Sequence, residues 1–186
     1  MQAARGTSLS DDTDRPAVPS TPRRLRLRLL LAAVFAVLYA VDVVSKVLAV
    51  EHLTGRPDVE VVGDLLVLHL VRNPGAAFST GTEYTVVLSC IAAGAAVVVL
   101  WLARRVGNVV WAVALGVLLA GIVGNLTDRL LRSPGPLRGH VIDMFMLPNW
   151  PVFNVADICI NVAAGLILLQ AFRGVRIDGS RDGDDA

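Results

Sequence analysis

The sequence predicts an all-α membrane protein: four transmembrane helices and a small β-sheet on the outer membrane face. Three observations carry that reading. Hydrophobic residues make up 54% of the 186-residue chain and mean hydropathy is +0.62, too apolar for an ordinary water-soluble domain. Four stretches are apolar over the ~20 residues that a helix needs to cross a bilayer core. Arginines collect in three of the segments flanking those stretches and are sparse in the other two.

The N-terminal segment, 1–24, is polar and carries Asp11, Asp12 and Asp14, and it reads as a disordered tail. It lacks the form of a cleavable signal peptide, because the apolar run begins only after "RRLRLR" and exceeds the usual h-region of ~7–15 residues. The first span runs over 27–50, interrupted by Asp42, Ser45 and Lys46. The second covers 84–103, the third 109–126 and the fourth 153–172. Helix is the form expected for all four, since lipid offers the backbone no hydrogen-bond partner. The membrane unit is expected to occupy 25–175, with 176–186 as a second tail.

Two longer loops remain, 51–83 and 127–152. In the first, "DVEVVGDLLVLHLVRNPGAAFS" is rich in Val and Leu, alternates in part, and is bounded by Gly and Pro, which predicts short strands. In the second, "PGP" at 134–136 and "LPNWP" at 147–151 break the chain into short pieces, and Trp150 suits an interfacial anchor.

Orientation follows from the basic residues. Arg23, Arg24, Arg26 and Arg28 precede span one, Arg104 and Arg105 follow span two, and Arg173, Arg176 and Arg181 follow span four. An even number of spans puts these three segments on one side, which the positive-inside rule makes cytoplasmic. Both termini are therefore expected inside and both longer loops outside. A net charge of +1 gives no polyelectrolyte character suited to nucleic acid. Cys90 and Cys159 both fall in apolar spans, where they read as small buried side chains.

Polar residues gather at one depth. Asp42 lies in the outer half of span one, with Lys46 one turn later on the same face. Asn125, Asp128 and Arg129 share a face at the outer end of span three. Asp143 lies in the loop joining spans three and four, and Asn154, Asp157 and Asn161 repeat at helical spacing at the start of span four. Ionisable residues in membrane segments normally face the bundle interior and are functional candidates. Asp42 has Lys46 beside it and Asp128 has Arg129, so those acids read as structural. Asp143 and Asp157 have no basic residue at helical spacing and read as functional.

Two carboxylates without cationic partners suggest a chemistry. Held close, they cannot both ionise easily and share a proton. One then acts as base toward a water while the other donates to a carbonyl or leaving group, which hydrolyses peptide bonds without metal or covalent intermediate. Competing sites are weaker. His52, His69 and His140 have no metal-type spacing, and neither a G-x-S-x-G elbow nor a Walker loop occurs. "NPGAAFS" at 73–79 lacks the lysine of a phosphate loop, and nothing in sequence places a base near Ser79.

Five blocks then carry a resemblance: "DVVSK" at 42–46, "NPGAAFS" at 73–79, "GIVGNLTDR" at 121–129, "GHVIDMF" at 139–145 and "FNVAD" at 153–157. In this order, on four spans, the chain resembles the lipoprotein signal peptidases, or signal peptidase II, over about 27–172. The resemblance implies a four-helix bundle whose outer-face sheet forms a β-sheet cradle for the substrate. It implies an aspartyl endopeptidase of the bacterial cytoplasmic membrane, without metal or cofactor and blocked by antibiotics of the globomycin type. Its substrate would be a diacylglyceryl-modified prolipoprotein, cut just before the lipidated cysteine. Carried over by block, the catalytic pair is Asp143 and Asp157. Asn73, Asn125, Arg129 and Asn154 match positions that bind substrate or orient the dyad. Asp42, Lys46 and Asp128 match supporting positions, and Gly75 and Gly124 would permit close backbone approach. The enzyme is expected to act as a monomer among membrane lipids.

Two rival classes exist. In a proton-coupled carrier the acids would line an ion path, but they cluster at one depth and the inner halves of the spans are apolar. A catalytically dead scaffold for lipidated proteins would keep the cradle and tolerate loss of either aspartate.

Overall fold

A computed structural model describes residues 21–75 and 85–181. The elements run α1 (Thr21–Leu53), β1 (Val59–Val62), β2 (Leu66–Asn73), α2 (Thr85–Ala103), α3 (Val109–Leu131), β3 (Val141–Met146) and α4 (Val155–Phe172). All four helices are long and apolar enough to cross a membrane. The architecture expected from sequence, four membrane helices with a small antiparallel sheet, is the one observed.

The helix α3 is the centre of the bundle and packs against each of the other three. It is the most buried of the four, and its inward face carries small side chains at Ala112, Ala114, Ala120, Gly121 and Gly124. Apolar lipid gives no hydrophobic drive for helices to associate, so close van der Waals approach through small residues takes its place. At Gly121 an added Cβ would stand 2.6 Å from the Ala156 carbonyl oxygen, and at Gly124 one would stand 2.5 Å from Asp42 Oδ2. By contrast, Val97, Ile91 and Phe172 are exposed, facing where lipid tails would lie.

The helix limits have local causes. Asn108 caps α3 by accepting from Val110 N at 2.8 Å and Trp111 N at 3.3 Å, which satisfies two donors of the first turn. Asn154 and Asp157 form a capping box at the start of α4. At the other chain end, α1 starts at Thr21, ahead of the expected 27, because its basic first turns continue the same helix. Of the expected tail 1–24, residues 21–24 form the first turn of α1, while 1–20 lie outside the described residues, as do 182–186. Residues 173–181 fold back on the turn between α2 and α3, where Trp111 Nε1 donates to Val175 O at 2.9 Å and Gly107 N to Ile177 O at 2.9 Å.

The sheet has order β1-β2-β3, antiparallel throughout. The first two strands come from the Val- and Leu-rich loop, as expected. The third comes from "VIDMFM" in the second loop, where the sequence predicts short pieces and no strand. Its first four residues are buried, so it has no alternation to reveal it. Beyond β3 the chain turns back, and Phe145 and Phe153 exchange backbone hydrogen bonds of 2.8 and 3.0 Å. Phe153 is thus part of this bridge and not of the fourth span.

Candidate active site

Three elements meet at the C-terminal end of α3. The strand β3 brings Asp143, which is 2% exposed. The first turn of α4 brings Asn154 and Asp157, and α3 brings Asn125, Asp128 and Arg129.

Asn154 is the link between the two acids. Its side-chain Nδ2 donates to Asp143 Oδ1 at 2.6 Å, and its backbone N–H donates to Asp157 Oδ2 at 3.1 Å. Its own side-chain oxygen accepts from Asp157 N at 2.9 Å, closing the capping box. One fully buried residue therefore starts the helix and orients both carboxylates. The free oxygens are held from outside this link. Asn73 Nδ2 donates to Asp143 Oδ2 at 3.0 Å, and Asn125 Nδ2 donates to Asp157 Oδ1 at 2.9 Å. Burial is the largest influence on Asp143 and raises it to about 6, with Asp157 adding to the rise. The hydrogen bonds from Asn73 and Asn154, and the charge of Lys46, oppose it.

Behind the two acids lies a buried ionic cluster. Lys46 Nζ is 2.8 Å from Asp42 Oδ2 and 3.0 Å from Asp128 Oδ2, and it donates to Asn125 Oδ1 at 3.0 Å. Asp42 also accepts from Ala156 N at 2.8 Å, which ties α1 to the first turn of α4. Asp128 accepts from Ile142 N at 3.2 Å, which ties α3 to β3. The sequence reading paired Asp128 with its neighbour Arg129. The structure instead pairs Asp128 with Lys46 and with Arg132, one turn later on the same helix face. Adjacent helical residues point about 100° apart, so Arg129 cannot share that face. Gly124 is the small position that lets α1 bring Asp42 against α3.

Arg129 turns the other way, into a cavity of about 640 Å3. Asn73, Gly75, Asn125, Asp143 and Asp157 line the same cavity. Arg129 Nη2 donates to Gly75 O at 3.2 Å, while its buried Nη1 finds no acceptor among the described residues. Apolar walls continue from the acids along Val71, Val141, Phe153, Ile158 and Val162. Of these, Ile158 and Val162 are exposed on α4, so the cavity opens toward lipid.

The eleven candidate positions thus divide. Asn73, Gly75, Asn125, Arg129, Asp143 and Asp157 line the cavity. Asn154 joins the two acids from within, and Asp42, Lys46, Gly124 and Asp128 stand behind them. Ser79 and the rest of "NPGAAFS" after Gly75 lie outside the described residues. Sequence reasoning missed Arg132 and Ile142. The i+4 spacing from Asp128 signals the first, while nothing local signals a backbone donor on a strand.

A family model described as signal peptidase (SPase) II matches residues 34–173, which include every one of these positions. The chain belongs to the signal peptidase II family. It is a membrane aspartic endopeptidase, and like the family it removes signal peptides from prolipoproteins. The lipoprotein signal peptidase of Mycolicibacterium smegmatis is 48% identical over 185 residues, covering 97% of this chain and 76% of that protein. That of Mycobacterium avium is 51% identical over 156 residues, covering 84% of this chain and 80% of that protein. Among solved structures, a bacterial membrane enzyme determined by the in meso method aligns with a TM-score of 0.67 at 23% identity, covering 76% of this chain and 87% of that chain. That likeness concerns the fold, and it adds bacterial membrane enzymes to the neighbours of this signal peptidase.

Proposed function

We propose that Asp143 and Asp157 are the catalytic pair of this peptidase. One observation carries the reading: both carboxylates line one cavity and are joined through Asn154, and among the described residues neither forms a salt bridge. Burial raises Asp143 to about 6, which favours it as the partner that holds the shared proton. Asp157, held as acceptor by Asn125 N–H and Asn154 N–H, is the base. It takes a proton from water as the water oxygen attacks the scissile carbonyl carbon, while Asp143 hydrogen-bonds the developing oxyanion and keeps its proton. Collapse of the tetrahedral adduct breaks the C–N bond, and the proton now on Asp157 passes to the leaving nitrogen.

The substrate is a diacylglyceryl-modified prolipoprotein cut just before the lipidated cysteine. The cavity suits it: polar groups at one end meet a peptide, and the exposed apolar face of α4 meets acyl chains. Arg129 Nη1, without an acceptor among the described residues, is available to a substrate carbonyl. Asn73 and Asn125 orient the pair, while Asp42, Lys46 and Asp128 support it. The arginines at the opposite end of the bundle favour cytoplasmic termini and an active site on the outer face.

The test is cleavage of diacylglyceryl-modified prolipoprotein by purified protein in detergent, comparing wild type with Asp143→Asn, Asp157→Asn and Asp128→Asn, each checked for folding. The reading requires the first two to lose cleavage by about 10³-fold or more and the third to retain some. A folded Asp143→Asn variant that cuts normally would overturn it.

A further inference from the structure

At the end of the bundle opposite the acids, guanidinium groups from three separate segments surround a cavity of about 610 Å3. Arg24 comes from the first turn of α1, Arg104 and Arg105 from the turn after α2, and Arg176 from the C-terminal segment. Asp178 is the one carboxylate in the lining, and its Oδ1 already accepts from Ser180 N at 3.0 Å and Ser180 Oγ at 2.7 Å. Among the described residues no carboxylate pairs with Arg24, Arg104 or Arg105. The buried Nε of Arg24 has no acceptor among them either. The cavity therefore concentrates positive charge, partly offset where Asp178 faces Arg176, and holds one donor unmet among the described residues, Arg24 Nε.

The walls are built and held. Arg28 Nη2 donates to Arg104 O at 2.6 Å, and the Arg105 guanidinium lies 4.2 Å from the centre of the Trp101 ring. The C-terminal segment is fixed by its bonds to Trp111 and Gly107. Holding the Arg105 guanidinium and the backbone of Arg104 in advance lowers the ordering cost of binding.

A second, apolar groove of about 500 Å3 adjoins the first through Arg104 and is lined by Val97, Val98, Leu100 and Trp101. All four apolar residues are exposed on the outer surface of α2. A free phosphate would use the first cavity alone. A lipid uses both, and basic pockets beside transmembrane helices are the usual receptors for anionic headgroups.

We propose that this end of the bundle binds one anionic phospholipid, its phosphodiester among Arg24, Arg104, Arg105 and Arg176 and one acyl chain along Val97, Leu100 and Trp101. Guanidinium forks suit the paired phosphate oxygens. The site sits at headgroup depth, where the apolar residues of α2 give way to arginine. It is separate from the peptidase site and does not rest on the assignment of the dyad.

The experiment is native mass spectrometry of the delipidated full chain in neutral detergent, titrated with dioleoylphosphatidylglycerol or dioleoylphosphatidylcholine. One phosphatidylglycerol should be retained at least tenfold more tightly than phosphatidylcholine, and Arg24→Gln/Arg105→Gln should abolish that preference. Prolipoprotein cleavage in detergent serves as the folding check. If the double variant is misfolded, the single variants are read, each with an expected loss of threefold or more. Equal retention of the two lipids, or an unchanged preference in folded variants, overturns the proposal. Displacement of phosphatidylglycerol by millimolar inorganic phosphate overturns the lipid as occupant and leaves a free-anion site.

Discussion

The side-chain amide of Asn154 donates to Asp143 Oδ1 at 2.6 Å while Asn154 caps the helix that carries Asp157. The folding of α4 and the geometry of the two acids therefore depend on one residue.

Asn154→Ala should cost about 1 kcal/mol or more of stability, the usual loss for a removed N-cap. It should also lower kcat by about 10–100-fold, since both acids lose an orienting donor or partner. Asn154→Ser keeps a cap oxygen but has no amide to reach Asp143. It should recover most of the stability and little of the activity. Detergent thermal unfolding beside cleavage kinetics separates the two effects, and parallel recovery of both would count against the double role.

The pH dependence has a definite sign. Asp143 is raised from 3.8 to about 6, chiefly by burial, so the folded protein holds a proton that the unfolded chain releases. Its contribution to stability is full below 3.8 and is lost as pH rises through about 6. The proton shared by the pair is lost over the same range, so kcat/KM of the free enzyme should fall on an alkaline limb beginning near there. Asn73 donates to Asp143 Oδ2 and favours its ionised form. Asn73→Ala should therefore move that limb to higher pH. A limb that moves down, or stays in place, contradicts the assignment.

Lys46 holds Asp42, Asp128 and Asn125 together at 1% exposure. Lys46→Met leaves two buried carboxylates without their common cation, which should cost about 3–5 kcal/mol. Unfolding in mixed micelles measures it. Lys46→Met/Asp42→Asn should recover part of the loss, because one uncompensated charge goes.

Gly124→Ala places a methyl 2.5 Å from Asp42 Oδ2. The side chain of Asp42 or the α1–α3 spacing must shift, at about 1–3 kcal/mol. Gly165, whose added Cβ would meet nothing within 4 Å, is the control, and Gly165→Ala should be neutral or slightly stabilising.

The four spans, the first two strands and the grouping of acids at one depth were legible in the sequence. Each rests on a local property: a helix must stay apolar for ~20 residues to cross the bilayer, and a strand pattern repeats every second residue. The helical spacing of Asn154 and Asp157 was likewise legible, although their capping box emerged only with coordinates. Asp143 was picked out by what it lacked, a basic neighbour, but its strand went unseen. A strand of six residues whose first four are all buried has no alternation to read.

Sequence by itself determined the membrane class, the order of the spans and which polar residues gather at one end of the bundle. Only the tertiary structure decided who pairs with whom: Asp128 with Lys46 and Arg132, Asp42 with the backbone of Ala156, and Asn154 with Asp143. The physical reason is range. Asp42 meets a partner 114 residues away, and a buried charge takes whichever donor the packed helices bring to it, whatever stands beside it in the chain.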